Sequence, residues 1–260
     1  MSKKVIYCNC KGNIIDPQKW EAIEAFVASS GLTSFKVTDL CGICSTDKEE
    51  ATRLFSAPDD LLIIACYPRA VKLLLDFAGV EAESKPLTYI NFRDTDDENL
   101  CNQIKSFAKG ELQASSLHEL QSEPEWPSWF PMIDYSRCTS CGQCAEFCLF
   151  GVYEKSDGKV LVVNPKGCKN NCPACARICP QTAIVFPKYQ QGGAIAGASS
   201  IDDTAEQQRQ REDVDTILGS DIYKALEQRK AKRHAIIKAE AMNKALEERD
   251  KAIHEKQKKN

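Results

Sequence analysis

Apolar residues in the first hundred positions come in two alternating patterns: short unbroken runs, and longer stretches in which they recur every three or four residues. Val5-Ile6-Tyr7 reads as a strand. Asp16 then offers an N-cap with Pro17 at the first helical position, and Trp20, Ile23, Phe26 and Val27 form one apolar face of a helix that Gly31 closes. A second strand fits residues 34–40, and the capping box Thr46-Asp47-Lys48-Glu49 opens a short helix through Leu54 and Phe55. Leu61-Leu62-Ile63-Ile64-Ala65 shows no alternation, which suits a parallel strand buried on both faces. A helix carrying Val71, Leu74, Leu75 and Ala78 follows and stops at Gly79. Leu87 to Asn91 makes a fourth strand, and Leu100, Ile104, Phe107 and Leu112 stripe a fourth helix. Strands alternating with helices predict an α/β fold with a doubly wound parallel sheet and right-handed crossovers.

The pattern changes at residues 119–131, where Pro124, Pro127 and Pro131 surround Trp126 and Trp129 and no helix or central strand can run through. The expected organisation is an α/β domain over 1–118, a linker over 119–131, a cysteine-rich unit over 132–187, a flexible linker over 188–213 and a charged C-terminal helix over 214–260. Gly192-Gly193-x3-Gly197 does not read as a dinucleotide fingerprint, because Pro187 and polar residues precede it and no βαβ pattern follows. In the last segment Glu240/Lys244, Glu247/Lys251 and Glu255/Lys259 have the supportive i,i+4 spacing, but Ile222, Leu226, Ile236, Ile237, Met242, Leu246 and Ile253 are too sparse for a heptad seam. A solvated helix or a partner-docking arm is expected there.

Charge sharpens this division. The net charge of −3 over 260 residues splits into +5 for residues 221–260, with 12 Lys and Arg against 7 Asp and Glu, and −8 for the rest. Lysines interspersed with acids make a solvated face more readily than a nucleic-acid site, so nucleic acid is not an expected partner. The longest apolar run, residues 61–67, is far short of a membrane span, and the first eight residues lack the apolar core of a signal peptide. A reducing cytoplasm is the expected setting, and there fourteen cysteines point to metal before disulfides.

Eight of them form a repeat: Cys138-x2-Cys141-x2-Cys144-x3-Cys148, then Cys168-x3-Cys172-x2-Cys175-x3-Cys179-Pro180. The last three cysteines of the two runs are offset by 31 positions and the first by 30. The flanks repeat as well: Ile133-Asp134 and Val163-Asn164 precede the runs, and the apolar strands Val152-Tyr153 and Ala183-Ile184-Val185 follow them. A cubane cluster needs four thiolates at tetrahedral corners; a tight Cys-x2-Cys-x2-Cys loop supplies three, and the fourth comes from elsewhere. Two zinc sites would use the same eight residues, although zinc motifs usually pair two separated cysteine knuckles.

The repeat closely resembles the two-cluster bacterial-type ferredoxins, α+β domains in which the fourth cysteine of each run ligates the other cluster. The resemblance implies one [4Fe-4S] cluster on Cys138, Cys141, Cys144 and Cys179, and a second on Cys168, Cys172, Cys175 and Cys148. There are two departures. Leu149 replaces the proline that Pro180 supplies in the second run, and Lys169-Asn170-Asn171 puts three residues where two are usual. Neither removes a ligand.

In an open parallel sheet, ligands bind beyond the carboxyl ends of the strands. Cys8 and Cys10 follow the first expected strand, Cys41 and Cys44 the second and Cys66 the third, so the fold gathers them at one edge; Cys101, within the fourth helix, reads as a small buried residue. This segment resembles the N-terminal domain of the heterodisulfide reductase A subunit in Cys8-Asn9-Cys10-Lys11-Gly12-Asn13-Ile14, Cys44-Ser45, Ala65-Cys66-Tyr67-Pro68-Arg69 and Asn91-Phe92-Arg93. The matching thiols are Cys8, Cys10, Cys44 and Cys66, with Cys41 as a fifth candidate, and that family's flavin-binding body is absent. A third iron–sulfur cluster, a redox-active dithiol and buried structural thiols are all open readings.

Together these features predict an electron-transfer subunit of an oxidoreductase complex, passing single electrons through two [4Fe-4S] clusters and having no catalytic apparatus of its own. Its expected partners are redox proteins, a flavoprotein or heterodisulfide-reductase-like subunits. The alternative is a thiol/disulfide reductase component using the N-terminal cysteines. His118, His234 and His254 lie outside both cysteine groups and read as solvated or helix-face residues.

Overall fold

The alternating runs become β1 (Lys4–Cys8), α1 (Pro17–Ser29), β2 (Thr33–Val37), α2 (Leu40–Thr46), α3 (Lys48–Phe55), β3 (Leu61–Ala65), α4 (Pro68–Ala78), β4 (Leu87–Asn91), α5 (Asp97–Ala108) and β5 (Leu117–Leu120). The structure, a computed structural model, describes residues 3–10, 14–55, 60–80, 87–109, 116–123 and 125–218. Its main sheet has five parallel strands in the order β4-β3-β1-β2-β5, so the winding reverses direction beside β1. β1 lies between β2 and β3 with Lys4 opposite both Thr33 and Leu61. All five residues of β3 are buried, as its unbroken apolar run requires. The caps are local chemistry: Asp16 accepts from the Gln18 N–H with Pro17 behind it, and Asp96 accepts from the Asn99 N–H at the start of α5.

Three local differences from the sequence expectation have physical causes. The second strand ends at Val37, and Asp39 caps α2 by accepting from the Gly42 N–H at 3.4 Å. Leu40, Cys41, Ile43 and Cys44 are all buried, so this short helix carries no polar face to betray its period. At Gly42 a Cβ would meet Ser122 and Ser128 at 2.9 Å, which lets the helix approach the 122–128 stretch closely. Asp47, not Thr46, then caps α3 by accepting from the Glu50 N–H at 2.8 Å, while the Thr46 hydroxyl donates to the Gly42 carbonyl. The fifth strand crosses the junction expected at 118/119; three of its four residues are exposed, so it has no apolar signature. In it His118 stacks on Phe35 at 4.8 Å between ring centroids.

Beyond the proline-rich stretch, β6 (Met132–Ile133) pairs antiparallel with β9 (Ile184–Val185), and β7 (Tyr153–Ser156) with β8 (Lys159–Val162) across a two-residue Asp157-Gly158 turn. α6 (Gln143–Phe147) and α7 (Ala174–Arg177) each sit inside one cysteine run. Phe130, Met132 and Val185 join the core of the five-stranded sheet, while Trp129, Cys175, Ala176, Ile184, Phe186 and Ile195 form a second core against Cys144, Cys168 and Cys179.

The start of the expected flexible linker, 188–213, is packed. Lys188 is buried, α8 (Gly193–Ala196) buries Ala194, Ile195 and Ala196, and the Phe186 N–H donates to the Ile195 carbonyl at 2.7 Å. The glycines there serve geometry: Gly197 has φ 102, and a Cβ on it would stand 3.0 Å from the Ala70 backbone. Compact units comprise Met1–Glu206 and Gln207–Asn260, and the division falls inside α9 (Asp203–Leu218). The remainder of the expected 214–260 helix, with His234 and His254, lies outside the described residues.

Candidate iron–sulfur centres

The first cysteine run is a tight loop entering a short helix. Ser140 and Gly142 both take positive φ, 56 and 82, which folds Cys138, Cys141 and Cys144 around one hollow. Its wall is completed by Cys179 from the end of the second run, with Ile133, Val160 and Ile184 supplying apolar surface. Cys179, Cys138 and Cys141 are the thiols that act on Cys144 electrostatically. In the second run the extra residue is absorbed by Asn171 at φ 58, a conformation that asparagine tolerates, and the Cys172 N–H closes back on the Lys169 carbonyl at 3.2 Å. Cys148, from the first run, stands within electrostatic reach of Cys168 and Cys175, and Cys172 within reach of Cys168. The structure therefore gathers Cys138, Cys141, Cys144 and Cys179 around one hollow, and places Cys148 near Cys168 and Cys175 and Cys172 near Cys168.

Polar hydrogens are aimed at these sulfurs. The Ser140 N–H donates to Cys138 Sγ and the Ala183 N–H to Cys179 Sγ, each at 3.4 Å, and the Tyr153 hydroxyl donates to Cys175 Sγ at 3.0 Å. Burial keeps the Tyr153 hydroxyl protonated, so it remains a donor. Burial also pushes the thiols up, Cys144 to about 11 and Cys168 and Cys175 to about 12. Unligated, they are neutral and poorly nucleophilic, whereas metal coordination deprotonates a thiol outright. Donors aimed at sulfur and apolar walls suit thiolates that carry charge only when ligated.

At the carboxyl edge of the main sheet a narrow cleft is lined by Cys8, Cys10, Cys41 and Cys66, with Leu40, Ala65, Val71, Leu74, Phe92, Pro187 and Lys188. Cys8 ends β1 and Cys10 follows it, Cys41 lies in the first turn of α2 and Cys66 follows β3. Cys10 holds a φ of 35, a strained backbone for a residue with a side chain. The Leu40 N–H donates to Cys8 Sγ at 3.4 Å. A hydrogen bond with Cys10, then burial, raises the Cys8 thiol; burial followed by the Asp39 carboxylate raises Cys41, and burial lifts Cys66 to about 12. Lys188 closes one side: burial works against its charge, but Cys41 and the hydrogen-bonded Asp39 carboxylate hold it above the ordinary lysine value.

Cys44, which the heterodisulfide-reductase resemblance groups with Cys8, Cys10 and Cys66, does not line this cleft. It is fully buried one turn further along α2, where burial and Asp39 push it up to about 12, and Cys41 stands in the place expected for it. The resemblance matches Cys44 through the pair Cys44-Ser45, whereas the Asp39 cap starts α2 at Leu40 and so places Cys41 in its first turn. Lys188, placed in a linker by its polar surroundings, is a cleft residue that sequence reasoning missed. Cys101 is buried in α5.

Residues 131–151 match the 4Fe-4S binding domain family. Over 61 residues, 23% of this chain, the sequence is 49% identical to an uncharacterized ferredoxin of Methanocaldococcus jannaschii, and the match covers 42% of that protein. The chain thus spans about two fifths of the length of this relative. The first likeness marks residues 131–151 as 4Fe-4S binding in type, and the second is to a ferredoxin. Among the described residues no helix is long and apolar enough to cross a membrane.

Proposed function

We propose that this chain is an electron-transfer subunit holding two [4Fe-4S] clusters, one on Cys138, Cys141, Cys144 and Cys179 and the other on Cys168, Cys172, Cys175 and Cys148. What supports this reading is that Cys179 lines the hollow of the first run, while Cys148 lies within electrostatic reach of Cys168 and Cys175 in the second. When bound, each cluster takes up and gives back one electron. The chain's own residues supply the rest. Ser140, Ala183 and Tyr153 direct polar hydrogens at the sulfurs, and Trp129 stacked on Phe186 at 5.0 Å, with Ile184 and Ile195, covers them with apolar surface.

A third iron–sulfur centre at Cys8, Cys10, Cys41 and Cys66 belongs to the same reading, and with it the likeness of the N-terminal segment to the heterodisulfide reductase A subunit. Its support is the convergence of four thiols from three strand ends on one cleft. The thiol/disulfide reductase alternative draws no support from this site, since raised thiols hold little thiolate to attack a disulfide. The partners are redox proteins, a flavoprotein or heterodisulfide-reductase-like subunits, in a reducing cytoplasm. Iron and acid-labile sulfide per chain after anaerobic purification test this: about twelve of each supports three centres and about eight supports two. Stoichiometric zinc without sulfide overturns the reading.

A further inference from the structure

Lys188 is only 4% exposed, and neither cysteine run needs it as a ligand. Its ammonium group donates to the carboxylate of Asp39, itself 0% exposed, and to the Pro127 carbonyl. Lysine is almost never buried to this degree unless paired. Two arginines also hold this stretch of chain to the sheet domain. Arg69 donates to the carbonyls of Thr182 and Ala194, and Arg93 to those of Pro187, Tyr189 and Gln190. The ion pair stands against the cleft lined by Cys8, Cys10, Cys41 and Cys66, with Lys188 in its wall. Asp39 is anchored there by its cap on α2, and its carboxylate acts electrostatically on Cys8, Cys41 and Cys66.

We infer that Lys188 and Asp39 form a buried charge pair that sets the reduction potential of the centre held by Cys8, Cys10, Cys41 and Cys66, Lys188 raising it and Asp39 lowering it. This rests on the third centre proposed above. Reduction adds one negative charge to the cleft. A fixed cation in its wall favours the reduced form and a fixed anion opposes it, and in a buried site salt screens both far less than at the surface. The cation is supplied by the segment that follows the second cysteine run, a few residues beyond the Ala183 N–H that serves Cys179. The N-terminal cleft thereby acquires its electrostatic setting only when the two cysteine regions are packed together.

The test is an anaerobic redox titration of the full chain, followed by electron paramagnetic resonance, with iron counted in each sample. The signal of the N-terminal centre is identified by its loss in Cys66→Ser. Lys188→Met is expected to lower its midpoint and Asp39→Asn to raise it. Each shift is about tenfold in the oxidation equilibrium, which is about 59 mV for one electron. The double variant returns close to the wild-type value. If Lys188→Met strands a buried carboxylate and fails to fold, Asp39→Asn and the double variant still decide the sign. A midpoint that stays put in the single variants, or moves the same way in both, overturns the inference. A wild-type chain with about eight irons and no signal lost in Cys66→Ser overturns the third centre itself, and the inference with it; the wild-type iron count tells the two failures apart.

Discussion

Arg69 joins the two cysteine-bearing regions, and its removal has a magnitude that follows from its bonds. It lies in the first turn of α4 with a side chain 12% exposed, and its Nε donates to Asp134 Oδ2 at 2.8 Å. Its terminal nitrogens reach the Thr182 and Ala194 carbonyls, each at 3.2 Å. Arg69→Met keeps the apolar stem and deletes all three bonds. The charge-assisted bond contributes about 1.5–3 kcal/mol and the carbonyl bonds about 1 kcal/mol each. Asp134 keeps the Ser136 hydroxyl and N–H, so the full cost of about 3–5 kcal/mol for a stranded buried charge is not expected. A net loss of about 3.5–5 kcal/mol from the three bonds, in a unit of this size, lowers the melting temperature by about 7–20 °C. The assay is thermal unfolding by far-UV circular dichroism, anaerobic and at one scan rate. Arg53→Met serves as control, because Arg53 is 77% exposed in an i,i+3 pair with Glu50 and is expected to cost under about 0.5 kcal/mol.

The effect also carries a pH signature. Burial alone would raise the Asp134 carboxyl, but bonds from Ser136 and Arg69 hold it below the ordinary carboxylate range. A carboxyl depressed on folding contributes stability above its unfolded value, near 4, and that contribution fades as pH falls through its folded value. The gap between wild type and Arg69→Met therefore narrows as the pH is lowered from about 7 through about 4. Equal melting of Arg69→Met and Arg53→Met at neutral pH refutes the reasoning.

Three further outcomes are expected. If the fourth cysteines are exchanged, Cys138→Ser/Cys179→Ser strikes one centre and loses about four irons, whereas Cys138→Ser/Cys148→Ser strikes two and loses about eight; equal losses speak against the exchange. Cys41→Ser removes the iron of the N-terminal centre and Cys44→Ser leaves it in place, by iron analysis of the two purified variants; the reverse result restores Cys44 as the ligand. Tyr153→Phe deletes the hydroxyl that donates to Cys175 Sγ at 3.0 Å, so the midpoint of the centre on Cys168, Cys172, Cys175 and Cys148 falls while its iron is retained, as potentiometric titration reads.

How far the chain could be read without its structure varies from element to element. β3 and the helix carrying Val71, Leu74 and Leu75 were legible because burial on one stripe or two faces writes itself into local periodicity. α2 was not, because every residue from Leu40 to Cys44 is buried and the run resembles the end of a strand. β5 was not, because an edge strand facing water on most of its residues has no apolar signature. Lys188 and the 193–196 helix sit among glycines and glutamines that read as linker, yet Lys188 donates to Asp39 and Arg69 donates to the Ala194 carbonyl, both across more than a hundred residues of sequence.

The sequence alone was enough for the α/β alternation, the parallel sheet and the repeat of eight cysteines, since each is carried by local spacing and cluster-binding loops keep their donors close along the chain. Which cysteines share a pocket was a different matter. Cys41 rather than Cys44 lines the N-terminal cleft, and Lys188 enters it from a region nearly 150 residues away in sequence from Asp39. Such choices depend on where a helix starts and which distant segment packs over a sheet edge. These are set by non-local burial and by the need to pair buried charges, and local spacing along the chain carries no trace of either.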